Sequence, residues 1–376
     1  MKKAKFPRVQ DLLGLLNGLA PAALAEEWDN VGLHLGDPLD EVRRILVALD
    51  PTAAVVEQAV AAEAQLLVSH HPLIFRPLKA LTSADDSGRA LLRAARAGVA
   101  VICAHTNLDR ARGGLNDWLA QVLGLGQVKV LQAGAGELFK LVVFVPRGYE
   151  DAVAAALFEG GAGHIGDYDQ CAFHGAGSGT FRPGSQTDPF IGRAGGARET
   201  VGEVRLETVV PREHLNRALQ RMLKAHPYEE VAYDLLALHN RRADMGLGRL
   251  GRLAAPLSLD AFALQVKAAL GCASLRLVGD GAQVLSKVAV CGGSGASLIG
   301  EALRQGADVL VTGDVKYHEA QQALSQGLAL VDAGHFATER LMVPRLADFL
   351  RQGLAAQGWT TEVREAQGER DPFRIV

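Results

Sequence analysis

Three short, almost wholly apolar runs limit most strongly what this chain can fold into, because each stops at imidazoles or carboxylates. Residues 65–69 lead into His70-His71-Pro72. Residues 99–104 lead into His105-Thr106-Asn107-Leu108-Asp109. Residues 328–332 lead into Ala333-Gly334-His335-Phe336-Ala337-Thr338-Glu339. Short apolar runs bounded by turn residues read as strands buried on both faces, and such strands belong in parallel sheets covered by helices. Ligands of such sheets gather beyond the carboxyl ends of the strands. Imidazoles and carboxylates also bind borderline and hard divalent cations. The three stretches are therefore expected to converge on one metal centre that the rest of the chain positions.

The surrounding pattern supports this α/β reading. Helices are expected over 8–19, 52–64, 87–97 and 115–123, alternating with strands over 44–49, 65–69 and 99–104. Near residue 134 the texture changes. Gln132-Ala133-Gly134-Ala135-Gly136 reads as a flexible bridge. Strands over 139–145 and 169–174 flank a helix over 150–159. A Gly-, Ser- and Pro-rich stretch, 175–198, reads as a long loop or hairpin. Strands over 203–210 and 230–238 then flank a helix over 212–225. That order, βαβ-βαβ, is the ferredoxin-like split pattern. After residue 243 the α/β alternation resumes, with helices over 259–269 and 296–305 and strands over 287–291, 308–312 and 328–332. A long helix is expected over 336–350. The fold class is thus a two-lobed α/β core with mainly parallel sheets, interrupted by a ferredoxin-like α+β insertion. The expected domains are 1–134 and 243–376 for the core and 135–242 for the insertion.

Composition narrows the function. The chain has 376 residues, 39 basic and 42 acidic, and its near-neutral balance offers no broad basic face for nucleic acid. Aromatics make up only 5%, too few for a base-stacking platform. Cys103, Cys171, Cys272 and Cys291 form no CxxC pair and read as small thiols in a reducing cytoplasm. Lys2, Lys3 and Lys5 ahead of the apolar stretch 12–24, with Ala23-Leu24-Ala25, imitate a secretory signal. Asp11, Asn17 and Pro21 break that stretch, and Val9, Leu12, Leu13 and Leu16 follow helical spacing, so a mature helix is expected. No later run is long and apolar enough to span a bilayer.

Within the metal reading, His335 and Glu339 stand four apart at a helix start and so share one face. With His70, His71 and Asp109 they make five ligands, more than one tetrahedral ion needs, which points to two ions. Two ions activating one water supply hydrolytic chemistry. His105, and Asp314 and His318 within Gly313-Asp314-Val315-Lys316-Tyr317-His318, are candidate proton relays. The polar trio in Glu27-Trp28-Asp29-Asn30-Val31 reads either as a cap and turn or as part of the site. Cys291-Gly292-Gly293-Ser294-Gly295 is a tight strand-to-helix turn and no Walker loop, since no Gly-Lys-Ser/Thr follows.

Five motifs in order carry a family resemblance: Trp28-Asp29-Asn30-Val31-Gly32-Leu33, Ser69-His70-His71-Pro72-Leu73, His105-Thr106-Asn107-Leu108-Asp109, Gly313-Asp314-Val315-Lys316-Tyr317-His318 and Gly334-His335-Phe336-Ala337-Thr338-Glu339. Together they resemble the GTP cyclohydrolase 1 type 2 homologue family, also called Ngg1-interacting-factor-three-like. The resemblance spans nearly the whole chain. It implies two divalent ions, zinc or iron with manganese as a further option, on His70, His71, Asp109, His335 and Glu339. It also implies a PII- or CutA-like insertion, with His226-Pro227-Tyr228-Glu229 as its signature, and a toroidal homohexamer. The expected function is a cytoplasmic metal-dependent hydrolase acting on a small, nucleotide-like molecule. The alternative is a metal-handling or PII-like metabolite-sensing protein without turnover.

Overall fold

The computed structural model describes residues 5–134 and 138–375. Lys2, Lys3, Ala135 and Gly136, used in the sequence reading, lie outside them. Two compact units form, one from residues up to Ala133 and from Ala243 onward, the other from Gly134–Arg242.

The first unit holds two sheets. Its strands in chain order are β1 (Gly32–Leu35), β2 (Arg44–Ala48), β3 (Leu66–Ser69), β4 (Ala100–Cys103) and β5 (Gly126–Ala133) before the second unit. The second unit contributes β6 (Leu138–Pro146), β7 (Ala172–Phe181), β8 (Glu199–Pro211) and β9 (Tyr233–Leu238). The first unit resumes with β10 (Gly246–Ser258), β11 (Arg276–Val278), β12 (Val284–Val290), β13 (Val309–Thr312), β14 (Ala329–Asp332) and β15 (Glu362–Glu365). One sheet has the order β1-β4-β3-β2-β15 and the other β11-β14-β13-β12-β10-β5. The strands β15, β2, β3 and β4 are mutually parallel, as are β12, β13 and β14. Every residue of β3, β4, β13 and β14 is buried. That is why the sequence there is unbroken apolar rather than alternating.

Local chemistry sets the helices. Thr52 caps Ala53–Ala61 by accepting from Val55 N, and Asp85 caps Asp86–Ala97 by accepting from Gly88 N. Gly98 closes the latter helix with φ +67°, a conformation glycine adopts without steric cost. Val9, Leu12 and Leu16 pack with Ile45, Val47, Leu346 and Leu350 in one core. The C-terminal helix Met342–Ala356 and β15 thus belong to the sheet built by the N-terminal residues.

Across the other sheet, Arg249 on β10 is buried. It donates to Asp117 Oδ1 and Oδ2 at 2.7 and 2.9 Å and to the carbonyls of Ala111, Gly246 and Gly248. This ties β10 to the helix Leu115–Val122.

The second unit is a four-stranded antiparallel sheet in the order β7-β8-β6-β9, with helices Glu150–Glu159 and Leu215–Ala225. Its chain order is β-helix-β-β-helix-β. Leu141, Val143, Leu206 and Val210 pack against Val153, Leu157, Ala218 and Met222.

Several sequence expectations need correction. Gln132 and Ala133 are not bridge residues but the end of β5, paired with β10 through Ala133↔Gly246. The stretch 175–198 is mostly loop only from 182, because β7 continues to Phe181 and β8 begins at Glu199. Its glycines hide the strand from any side-chain pattern, and ten ladder pairs from Ala172↔Thr208 to Phe181↔Glu199 hold it instead. The strand expected from 230 begins at Tyr233. The helix expected over 336–350 is two helices, His335–Glu339 and Met342–Ala356. The break puts Pro344 in a first turn, where a missing N–H costs no helix bond. The strands β5, β10, β11 and β15 had no sequence signal strong enough to place them.

Candidate metal centre

Six parallel strands deliver the site, each from its carboxyl end. Asp50 follows β2, His70 and His71 follow β3, and His105 and Asp109 follow β4, Asp109 on the short helix Thr106–Arg110. From the second sheet, Gly292 and Gly293 follow β12, Asp314 follows β13, and His335 and Glu339 follow β14.

The ring nitrogens are arranged alike in four histidines. His70 Nδ1 donates to the Ala104 carbonyl at 2.8 Å. His71 Nδ1 donates to Asp50 Oδ1 at 2.6 Å, His105 Nδ1 to Asp29 Oδ1 at 2.9 Å, and His335 Nδ1 to Asp314 Oδ2 at 2.7 Å. Each ring is thereby fixed through Nδ1, leaving Nε2 as its other polar atom. His71 Nε2 and His335 Nε2 both reach Glu339 Oε2 at 3.0 Å. His70 Nε2 lies 3.6 Å from Asp109 Oδ1 and 3.7 Å from Glu339 Oε1. The candidate ligand atoms of His70, His71 and His105 lie within 4.8 Å of one another, as do those of His71, His335 and Glu339.

Two buried atoms in this cluster, His70 Nε2 and Asp109 Oδ1, have no hydrogen-bond partner. With Nδ1 donating, His70 Nε2 offers a lone pair, and it faces carboxylate oxygens that also only accept. Acceptors facing acceptors in a buried space fit a cation between them. The residues present therefore suit a divalent metal.

The proton equilibria carry the same mark. Burial opposes charge on His71, but hydrogen bonds to Asp50 and Glu339 outweigh it and raise the ring to about 10. The hydrogen bond to Glu339 leads in raising His335 to about 9. Burial would raise Glu339, yet the imidazoles of His70, His335 and His71 hold it well below the usual carboxylate range. Asp109 is pushed up to about 7, mainly by burial. Burial would also raise Asp29, but His105 and Thr106 bring it down to about 2.

Glycines make room for these groups. A Cβ on Gly293, whose φ is +61°, would overlap Glu339 Oε1. One on Gly313 would stand 2.6 Å from the Gly334 carbonyl carbon and His335 N, so the two turns can meet only there. Asp314 itself holds a left-handed φ of +56°.

Residues 7–372 match the Duf34/NIF3 family (NGG1p interacting factor 3). The chain belongs to the Duf34/NIF3 family. A Halalkalibacterium halodurans relative named GTP cyclohydrolase 1 type 2 homolog is 42% identical, covering 99% of this chain and 100% of its own length. A Bacillus subtilis relative of the same name is 44% identical over the same shares. Among solved structures, a Bacillus cereus protein related to NIF3 superposes with a TM-score of 0.85 at 40% identity, covering 99% of this chain and 100% of that one. The sequence resemblance and the two-lobed α/β fold class thus hold.

All five expected ligands of this Duf34/NIF3 chain, His70, His71, Asp109, His335 and Glu339, meet in the one cluster, with His105 and Asp314 beside them. His318 is exposed on the helix Tyr317–Ser325, its ring against Tyr317; among the described residues no hydrogen bond or ion pair joins it to the cluster.

Sequence reasoning missed several supporting residues. Asp50 follows a strand that carried no other signal. Glu369, near the C-terminus, accepts from Leu49 N and Asp50 N at 3.0 and 2.9 Å and so fixes the Asp50 turn. Asn116 is fully buried; its side chain donates to Asp109 O and accepts from Gly292 N, both at 2.9 Å. It therefore links the ligand segment of one sheet to the glycine turn of the other. Thr338 accepts from Gly293 N at 3.0 Å. Only Asp29 had a signal, in the polar trio before β1. Exposed Trp28 stands edge-on to His105 and to Phe75 at centroid distances of 6.2 and 6.0 Å.

Proposed function

We propose that this chain is a divalent-metal-dependent hydrolase in which His70, His71, Asp109, His335 and Glu339 hold two ions. The observation that carries the reading is the orphaned pair, His70 Nε2 and Asp109 Oδ1, inside a ring of imidazoles each anchored through Nδ1. A bound pair of divalent ions supplies Lewis-acid polarisation and a water of lowered pKa. The donor set is imidazole and carboxylate, which suits zinc or iron and admits manganese. The thiols do not compete, because burial pushes both Cys103 and Cys291 up and away from the thiolate form.

The protein's own groups do the rest. His71 and His335 are aimed by Asp50 and Asp314. His105, held by Asp29, presents Nε2 as the group that moves a proton to or from the substrate. Trp28 beside it offers a stacking surface to a heteroaromatic, nucleotide-like substrate. His318 is given no step.

Free cysteines, together with the absence of any helix long and apolar enough to cross a membrane among the described residues, support a cytoplasmic setting. The family resemblance extends the proposal to a homo-oligomeric ring, read as a hexamer. It also makes 135–242 a PII- or CutA-like insertion dividing the core segments 1–134 and 243–376. A second reading, ligand sensing by that inserted unit without turnover at the metals, is favoured by its split βαβ order.

The test is turnover of a panel of nucleotides and phosphoesters by protein loaded with zinc, iron or manganese. Turnover that disappears in Asp109→Ala and Glu339→Gln, together with metal content by elemental analysis, is the expected result. No turnover by wild type with any metal, or equal turnover by Asp109→Ala, removes the hydrolase reading.

A further inference from the structure

The second unit contains a cavity of about 670 Å³ that the metal chemistry does not use. It lies on β7 and β8, beneath the loop 182–198. Phe181 and Phe190 stand around Tyr228 at centroid distances of 6.0 and 6.1 Å. Tyr228, Glu229 and Glu230 of the segment His226-Pro227-Tyr228-Glu229-Glu230, which the metal centre leaves unexplained, line one side of it. His226 Nε2 donates to the Phe144 carbonyl at 3.0 Å and anchors the segment to β6. Both Glu229 carboxylate oxygens accept from Asp188 N at 3.0 Å and pin the loop that carries Phe190.

Glu203 decides the chemistry. It is only 8% exposed, and its Oε1 accepts from Tyr228 Oη at 3.0 Å. Among the described residues no Lys, Arg or His forms an ion pair with it. A Cβ on Gly179 would overlap its other oxygen, so the carboxylate lies over bare backbone that only glycine leaves open. Four carboxylates (Glu203, Glu207, Glu229, Glu230) line the cavity against two guanidiniums (Arg182, Arg205). Arg205 is already paired with Glu207 at 3.0 Å, and Glu207 also with Lys140, whereas among the described residues Arg182 Nε donates only to the Gly196 carbonyl. An anionic ligand would meet one guanidinium, Arg182, against the carboxylates of Glu203, Glu229 and Glu230. A neutral apolar ligand would bury Glu203 with no countercharge, which is costly. A cation would meet the carboxylate and the faces of aromatic rings together.

We propose that this cavity binds a small organic ammonium ion, with Glu203 as its counter-ion and Phe181, Phe190 and Tyr228 as its aromatic walls. The volume suits a metabolite-sized ligand. The inference rests on the second reading above, ligand sensing by this unit, and is independent of the metal centre.

Calorimetry on the full chain tests it with choline, putrescine, the neutral choline isostere 3,3-dimethylbutan-1-ol, and inorganic phosphate. Choline or putrescine is expected to bind, and the isostere roughly tenfold more weakly or worse than choline. Glu203→Gln and Gly179→Ala should each weaken the cation by a similar factor with metal content unchanged. Isotope-filtered nuclear Overhauser contacts should run from the ligand to the Phe190 and Tyr228 rings in the wild type, which needs no variant to fold. Equal binding of the neutral isostere, full affinity in Glu203→Gln, contacts to other residues, or no binding by either cation overturns the proposal. Phosphate binding in place of the cations also overturns it while leaving ligand sensing intact, so the two can fail separately.

Discussion

Histidine is held in opposite ways in the two units. In the first, His71 and His335 lie between carboxylates, which raise them to about 10 and about 9. In the second, His226 donates from Nε2 to Phe144 O and accepts at Nδ1 from Tyr228 N, and burial lowers it. His214 is likewise lowered by burial. The second arrangement satisfies a neutral ring completely, so His226 serves as a strut. The first leaves rings that must be charged by a proton or faced by a metal. Burial alone thus makes a structural histidine, whereas burial among carboxylates makes a cation site.

The units also each contain an ion pair with a buried arginine, Arg249 with half-buried Asp117 and Arg242 with buried Glu213. Removing Glu213 leaves Arg242 buried and uncompensated, at about 3–5 kcal/mol, and removing Arg249 leaves Asp117 partly solvated, at a smaller cost. Arg249→Ala should therefore speed hydrogen exchange in β10 and in Leu115–Val122 while leaving β6 unchanged, and Glu213→Ala should do the reverse. Exchange that rises in both units after either change would show one cooperative structure instead of two.

The next effect concerns the carboxylates behind the rings. Asp50→Ala frees the His71 ring and should weaken metal binding by about tenfold to a hundredfold, measured by competition with a chelating dye. Unchanged affinity would remove His71 from the ligand set.

A third effect is in pH, where the two units should slope oppositely. In metal-free protein His71 and His335 have folded values above the ordinary 6.5. Their contribution is whole below pH 6.5 and is lost as pH rises through about 9 and about 10. His226 and His214 have folded values below 6.5. Their contribution is whole above pH 6.5 and is lost as pH falls through those lower values. Exchange rates in β3 and β6 measured across pH after chelation check both signs, and parallel slopes would erase the contrast.

Much of the site was legible because its ligands sit directly after strands whose burial leaves an unmistakable apolar run. His70, His71, His335 and Glu339 are of this kind. Asp50 and Glu369 were not, since single carboxylates in turns look like solvated surface. Asn116 lies inside an ordinary helical pattern, and its two bonds cross between sheets. β7 was partly hidden because Gly175, Gly177 and Gly179 carry no side chains to show alternation. β15 was missed because its four residues, Glu362–Glu365, are mostly charged.

The sequence by itself determined the α/β class, the family and the chemical character of the centre, because burial and side-chain type are local properties. Only the tertiary structure decided that two separate sheets aim the carboxyl ends of their parallel strands at one point. It alone returned the C-terminal strand to β2 and turned every ring by a partner distant in sequence. Those facts depend on which strands pair and which turns meet, and such contacts leave no periodic trace along the chain.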